Sequence, residues 1–423
     1  MPMKETAINP IDLIARMGNA ARRATGEIAR LPSGRKSEAL VAAAAAIRTH
    51  CASILDANAH DLERGKANGL SEAMLDRLAL DRGRVEAIAA GVEAVAGLRD
   101  PVGMLIDEST RPNGLKLSRI RVPLGVVGII YESRPNVTAD AAALCLKSGN
   151  AVILRGGSEA SKSNHTIHAA MIKGLERAGL PVDAIQIVPT TDRAVVGAML
   201  TAHGVIDVII PRGGKALVSR VQSDARVPVL AHLDGICHTY VDAAADGAKA
   251  KAIVVNAKMR RTGVCGATET LLIDQGYAEP GALLQALIEA GCALRGDATT
   301  LAIEPRARAA MEADWETEYL DSICAVRFVN GVEGAIAHIS AHGSNHTDAI
   351  ITEDAGTAES FLSAVDSAIV MHNASTQFAD GGEFGLGAEI GIATGRLHAR
   401  GPVALEGLTT YKWIVRGTGQ IRP

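Results

Sequence analysis

The chain has 423 residues, with 43 lysines and arginines against 47 aspartates and glutamates and a formal charge of −4. Near-balanced charge without an extended basic block gives no electrostatic support to a nucleic-acid or anionic-membrane partner, so a small-molecule ligand is expected. The length exceeds what one hydrophobic core organises and predicts two large domains, with a small oligomerising appendage.

From Ile11 to about Leu98 the apolar residues recur at helical spacing, in three stretches broken near Leu31-Pro32-Ser33-Gly34 and near Asn68-Gly69. Within them, Leu40 to Ile47 is an apolar run far too short to span a bilayer, and no basic-then-apolar leader precedes it, so a soluble, cytoplasmic protein is expected. Gly114 to Ser133 reads as extended chain. Its first half alternates apolar and polar residues, as an edge ribbon does, and its second half, Val126-Val127-Gly128-Ile129-Ile130, suits a buried strand.

After Tyr131 strands and helices alternate: a helix over 137–148, a strand over 151–154, a long helix over 158–178 ending at Gly179, and β-rich runs at 185–188 and 205–210 around a helical 193–202. The rhythm resumes after Cys265, with a strand over 269–273 and a helix over 280–290. Such alternation implies parallel doubly wound sheets, with ligands at the carboxyl ends of the strands. Two α/β units follow, with Cys265 near their junction. The segment from Phe378 to Gly391 is glycine-rich, and 408–415 returns to an extended pattern that suits a strand pairing with another subunit.

The six cysteines, Cys51, Cys145, Cys237, Cys265, Cys292 and Cys324, contain no Cys-x-x-Cys pair and read as reduced intracellular thiols. Cys265 stands apart. It lies between Gly263 and Gly266, which allow close approach of a substrate, and Arg260 and Arg261 nearby favour the reactive thiolate. The other isolated cysteines, Cys51, Cys145, Cys292 and Cys324, read as small buried hydrophobes.

Neither a Gly-x-Gly-x-x-Gly turn nor a Walker loop occurs, which argues against kinases and ordinary Rossmann dehydrogenases. Two diglycine turns follow β-runs instead, Arg155-Gly156-Gly157-Ser158-Glu159 and Pro211-Arg212-Gly213-Gly214-Lys215. Each lets the backbone approach a phosphate or ribose and opens a helix whose N-terminus favours anions, or is simply a strand-helix turn. His338 and His342 are four apart on a predicted helix and His346 follows, but no glutamate or cysteine completes a zinc set, so solvated helix-face histidines are expected there and at His165 and His168. No metal is assigned.

Glu132-Ser-Arg-Pro-Asn136-Val-Thr, Ile210-Pro-Arg-Gly-Gly214, Cys237-His-Thr-Tyr-Val-Asp242, Cys265 before Glu269-Thr-Leu-Leu, Glu316-Thr-Glu-Tyr-Leu320, Phe384-Gly-Leu-Gly-Ala-Glu-Ile-Gly391, Leu397-His-Ala-Arg-Gly-Pro402 and Leu408-Thr-Thr-Tyr-Lys-Trp413 run through nearly the whole chain. In this order they resemble the γ-glutamyl phosphate reductase family, or glutamate-5-semialdehyde dehydrogenases, of the aldehyde dehydrogenase superfamily. The resemblance implies an α/β, aldehyde dehydrogenase-like fold: two doubly wound parallel-sheet domains and a β-ribbon oligomerisation extension. It assigns 1–110 and 125–255 to an NADP-binding domain to which 378–395 returns, 256–377 to a catalytic domain, and 111–124 and 396–423 to the ribbon.

The same resemblance implies roles for residues. Cys265 is the nucleophile and Asn136 helps hold the oxyanion. Arg155 and Glu159 look like the residues that touch the adenosine ribose, Gly213 and Gly214 form part of the cofactor site, and Glu318 resembles the acid that reaches the nicotinamide ribose. Where hydrolytic relatives carry a water-activating glutamate, His232 stands here, so water is not the expected acyl acceptor. Arg134, Arg260 or Arg261 are candidates for the substrate phosphate; Glu389, then Glu383, for its ammonium group. The expected activity is NADPH-dependent reduction of L-glutamyl 5-phosphate through a Cys265 thioester, the second step of proline synthesis from glutamate. A homodimer or homotetramer and association with glutamate 5-kinase are further expectations. The rival readings are another acylating or hydrolytic aldehyde dehydrogenase and a catalytically idle scaffold of the same fold.

Overall fold

A computed structural model describes residues 9–422. They form two compact units: one takes the described chain up to Ala231 with Leu386–Gly391 and 403–422, the other His232–Gly385 with Ile392–Pro402. The division lies at 231/232 where the sequence reading sets 255/256, because the strand at 237–241 pairs with strands that follow it.

The first unit opens with five helices, α1 (Pro10–Ile28), α2 (Ser33–Thr49), α3 (Cys51–Ala67), α4 (Glu72–Leu78) and α5 (Arg82–Gly97). α1 begins where Asn9 Oδ1 accepts the Ile11 N–H at 2.9 Å and proline occupies the first turn, which needs no N–H there. Then come β1 (Leu105–Thr110), β2 (Lys116–Pro123), β3 (Val126–Tyr131), α6 (Asn136–Lys147), β4 (Ala151–Gly156), α7 (Ser161–Ala178), β5 (Ile185–Ile187), α8 (Ala194–Leu200), β6 (Val208–Arg212) and α9 (Lys215–Asp224). The strands β5-β4-β3-β6 make an all-parallel sheet. Every residue of β3 is buried, as an apolar strand covered on both faces requires. Leu13, Ile14 and Met17 of α1 pack with Val126, Ile130, Ile153 and Met199 in its core.

The second unit holds β7 (Cys237–Val241), α10 (Gly247–Met259), β8 (Thr268–Asp274), α11 (Pro280–Glu289), β9 (Ala293–Gly296), α12 (Ala298–Ile303), β10 (Arg308–Ala309), β11 (Ile323–Val329), α13 (Gly331–His342), β12 (Thr347–Ile351), α14 (Ala355–Ala364) and β13 (Ile369–His372). Its strands form a second parallel sheet in the order β10-β9-β11-β8-β7-β12-β13. Short strands β14 (Gly391–Ala393) and β15 (Gly401–Val403) follow, and β16 (Thr409–Arg416) closes the chain.

β16 pairs antiparallel with β2 of its own chain, giving the ribbon β1-β2-β16, so the pairing across a subunit boundary read from the sequence is first made within the chain. Arg119 lies over the Tyr411 and Trp413 rings at 5.1 and 5.4 Å. No single helix among the described residues is long and apolar enough to cross a membrane. α2 and α3 pass such a test jointly by length and composition, but their apolar residues Leu40, Ile47 and Ile54 are completely buried.

Candidate active site

In the first unit three adjacent strands deliver their following loops, two of them diglycine turns, to one edge. Tyr131, Gly156 and Arg212, which end β3, β4 and β6, lie in register with one another. Two carboxylates set the conformation of the loops beyond. Glu159 Oε1 accepts the Ser133 N–H at 2.6 Å and its hydroxyl at 3.0 Å, holding Ser133 at φ +46°. Glu132 Oε2 accepts the Gly214 N–H at 3.2 Å. The glycines leave room for these carboxylates: a Cβ on Gly157 would lie 2.1 Å from Glu159 Oε1, and one on Gly213 would lie 2.4 Å from Glu132 Oε2, so either substitution would displace the carboxylate from its hydrogen bonds.

Arg155 is buried, donating to the carbonyls of Gly156 at 3.1 Å and Thr191 at 3.0 Å, and burial lowers its guanidinium pKa. Its Nε has no hydrogen-bond partner, which a buried guanidinium tolerates poorly unless a ligand supplies one. Asn136 is exposed at the start of α6 and donates from Nδ2 to Asp140 Oδ2 at 2.9 Å. Burial pushes the Asp140 carboxyl up to about 6, against the opposing Asn136 hydrogen bond.

In the second unit Cys265 lies at the opposite strand end. Cys265 precedes β8, His232 and Gly235 precede β7, and His346 precedes β12, so the amino ends of the adjacent strands β8-β7-β12 bring them together. The diglycine loops thus lie at the carboxyl ends of the first sheet, and Cys265 at the amino ends of the second. Cys265 is half-buried. A Cβ on Gly235 would lie 2.3 Å from the Cys265 carbonyl oxygen, so glycine is what lets the two segments touch. The Cys237 thiol donates to that same carbonyl at 3.1 Å, and burial raises its pKa far above the ordinary thiol value. Gln377 Nε2 donates to the carbonyls of Ala257 at 2.9 Å and Arg261 at 3.2 Å, fixing the approach to the loop.

Two imidazoles border this sulfur. His232 Nδ1 donates to the Ile392 carbonyl at 2.8 Å, which makes Nε2 the basic nitrogen of its neutral ring. The His346 ring meets it edge to face at 5.0 Å between centroids and lies completely buried, and burial holds its pKa down at about 3. Glu318 Oε1 accepts the Gly235 N–H at 3.0 Å, so this acid is tied to the segment that touches Cys265.

The weaker candidates are dispersed. Arg134 and Glu389 belong to the first unit and are half-buried; Arg261 and Arg260 are exposed in the second, as is Glu383. His338 is buried against Arg327, Trp315, His238 and His342, so the solvated helix-face reading does not hold for it: the first three come from other elements and His342 from its own helix. Sequence reasoning missed His346, Gly235 and Cys237 as neighbours of Cys265. The signal available was that each directly precedes or begins an apolar strand, as Cys265 does.

A family model described as the aldehyde dehydrogenase family matches residues 11–302. A protein of Rhizorhabdus wittichii named gamma-glutamyl phosphate reductase is 67% identical over 100% of this chain and 100% of its own, and one of Sphingopyxis alaskensis with the same name is 68% identical over 97% and 96%. The crystal structure of gamma-glutamyl phosphate reductase from Thermotoga maritima superposes with a TM-score of 0.95 at 42% identity, covering 97% of this chain and 100% of that one.

Proposed function

Since the chain belongs to the aldehyde dehydrogenase family and, within it, to the gamma-glutamyl phosphate reductases, we propose that Cys265 carries the acyl group during reduction of L-glutamyl 5-phosphate to L-glutamate 5-semialdehyde and phosphate. The fold implies a nicotinamide cofactor; NADP(H) is the form we propose. The observation that carries the reading is a half-buried thiol held by glycine-mediated backbone contact at the amino end of β8, beside two imidazoles.

The residues present fit a dinucleotide. Arg155 has an unpaired buried Nε, and the diglycine turns after β4 and β6 lead into helix starts, where phosphates are favoured, with the Gly157 and Gly214 N–H groups donated to the Tyr131 carbonyl and Glu132 Oε2. Arg155, Glu159, Gly213 and Gly214 are assigned to holding it, and Glu318 to the nicotinamide ribose.

The Cys265 thiolate attacks the side-chain acyl carbon, forming a tetrahedral adduct. The Cys265 backbone N–H and the Asn136 amide are assigned to its oxyanion; such donors are each worth about 3 to 4 kcal/mol. One N–H of the Asn136 amide goes to Asp140, which orients the carboxamide and leaves the second for the substrate. Phosphate departs without strong acid assistance, leaving a thioester. A bound reduced nicotinamide supplies the hydride that converts the thioester to a hemithioacetal. Its collapse expels the Cys265 thiolate and releases the aldehyde. With His232 Nδ1 committed to a carbonyl, its Nε2 can take up or return the proton that accompanies these steps. Arg134 and Arg261 are proposed for the substrate phosphate and Glu389 for its ammonium group. The exposed ribbon β1-β2-β16 is proposed to build a homodimer or homotetramer, and the cytoplasm is the proposed location; association with glutamate 5-kinase would deliver the labile acyl phosphate.

The test is steady-state NADP reduction from glutamate semialdehyde, with and without phosphate, on wild type and Cys265→Ala. Turnover that requires phosphate and disappears with the sulfur is expected. Turnover indifferent to phosphate would instead support a hydrolytic enzyme with His232 as base, and activity in the alanine variant would remove Cys265 from the mechanism.

A further inference from the structure

His232, Cys265 and His346 each offer one ligand atom, and these three atoms lie within 4.8 Å of one another. Two neutral imidazoles and a thiolate form the borderline-soft nitrogen and sulfur set that zinc prefers over magnesium or calcium. Each histidine is oriented by a hydrogen bond on Nδ1, His232 to the Ile392 carbonyl at 2.8 Å and His346 to Thr347 Oγ1 at 2.9 Å, the arrangement that fixes a metal-binding imidazole. His346 Nε2 is buried with no hydrogen-bond partner, whereas buried polar nitrogens normally have one. A completely buried histidine, His346, thus meets the half-buried His232 edge to face beside the Cys265 thiol.

We propose that His232, Cys265 and His346 form a binding site for one zinc ion, which masks the nucleophile and reversibly switches the enzyme off. Tetrahedral zinc at about 2.3 Å from sulfur and about 2.0 Å from nitrogen sets its ligands roughly 3.3 to 3.5 Å apart. Rotations that close the present cluster by about an ångström complete the site. The ion takes the sulfur as thiolate, the thiol proton passes to solvent, and water fills the fourth position. No electron is transferred, so a chelator restores the free thiol. Binding stands independently of the acyl chemistry, whereas masking rests on Cys265 being the nucleophile.

The experiment titrates the metal-free full chain with Co2+ as the spectroscopic probe, displaces it with Zn2+, and follows turnover in parallel. One equivalent with a sulfur-to-cobalt charge-transfer band is expected, with inhibition tracking occupancy and EDTA reversing both. Cys265→Ser must lose the band. Cys237→Ala must keep it. His232→Gln and His346→Gln must each weaken binding by roughly tenfold or more, by analogy with the losses seen on disturbing metal shells; should the buried His346 variant not fold, the half-buried His232 variant carries the test. Absence of the band, its survival in Cys265→Ser, or wild-type affinity in His232→Gln overturns the site. A fully loaded enzyme that still turns over overturns the masking and, separately, the role of Cys265 as nucleophile.

Discussion

Lys258 Nζ and Glu269 Oε2 meet at 2.5 Å, and neither side chain exposes any surface. Lys258 stands in the last turn of α10 and Glu269 is the second residue of β8, so this ion pair ties together both ends of the segment that carries Cys265. Glu269 Oε1 also accepts the Leu320 N–H at 3.3 Å, and the Lys258 ammonium lies 5.8 Å from the Tyr319 ring. Those residues directly follow Glu318. One buried pair thereby anchors the Cys265 loop and the segment bearing the acid that grips Gly235.

Removing one partner strands the other charge. Burial already pushes the Glu269 carboxyl up, and the Lys258 ammonium is what opposes it. Glu269→Ala or Lys258→Ala is expected to lower unfolding free energy by about 3 to 5 kcal/mol, while Lys258→Met with Glu269→Leu loses far less. Urea unfolding of the two single variants and the double decides it. A double variant as unstable as the sum of the singles would mean that the two charges do not act as a pair.

Gly235→Ala places a methyl 2.3 Å from the Cys265 carbonyl oxygen and 2.8 Å from its Cα, distances that only a backbone shift relieves. The shift moves the sulfur directly, and small misplacements of reacting groups cost on the order of 10²-fold in rate. We expect kcat to fall about that much with a smaller effect on KM. Gly263→Ala, whose added methyl meets nothing within 4 Å, is expected to retain wild-type kinetics. Equal kinetics in the two variants would remove Gly235 from the positioning of Cys265.

What the sequence revealed follows from how local each signal is. Cys265 was legible because its flanking glycines and the apolar run after it are neighbours in the chain, and the family motifs agree with it. The diglycine loops were legible because apolar strands end directly before them. His346 and Gly235 were not, since their approach to Cys265 depends on the strand order β8-β7-β12, which no local pattern encodes. The N-terminal helices were undercounted for a similar reason. α2 and α3 meet at a 66° bend at His50, with neither glycine nor proline to mark it. His338 lost its predicted solvation to Trp315 and Arg327, residues brought over it by tertiary packing.

His338 also gives the protein a pH dependence. Burial holds its imidazole down at about 3, with His238, His342 and Arg327 lowering it further, and Arg327 Nη1 donates to its Nδ1 at 3.1 Å, which requires the neutral ring. In the unfolded chain the same ring takes a proton near 6.5. Between those values the unfolded state binds more protons, so stability present above about pH 6.5 is lost as pH falls toward 3. Unfolding free energy measured across that window should decline less steeply for His338→Gln than for wild type. Parallel slopes would show that this histidine does not sense the transition.

Gly174 sets two opposing effects against each other. Replacing a helical glycine by alanine ordinarily stabilises by about 1 kcal/mol, because the unfolded chain loses freedom. Here an added Cβ would lie 2.5 Å from the Cα, Cβ and N atoms of Ala43, so α7 and α2 touch almost backbone to backbone. A flexible side chain could move aside; a helix backbone cannot without separating the pair and opening gaps along their shared face. Overpacking of this kind costs about 1 to 3 kcal/mol, which outweighs the propensity gain. Gly174→Ala is therefore expected to lower the melting temperature, and Gly174→Val to lower it further. A melting temperature raised by the alanine substitution would show that the helices part more easily than this contact allows.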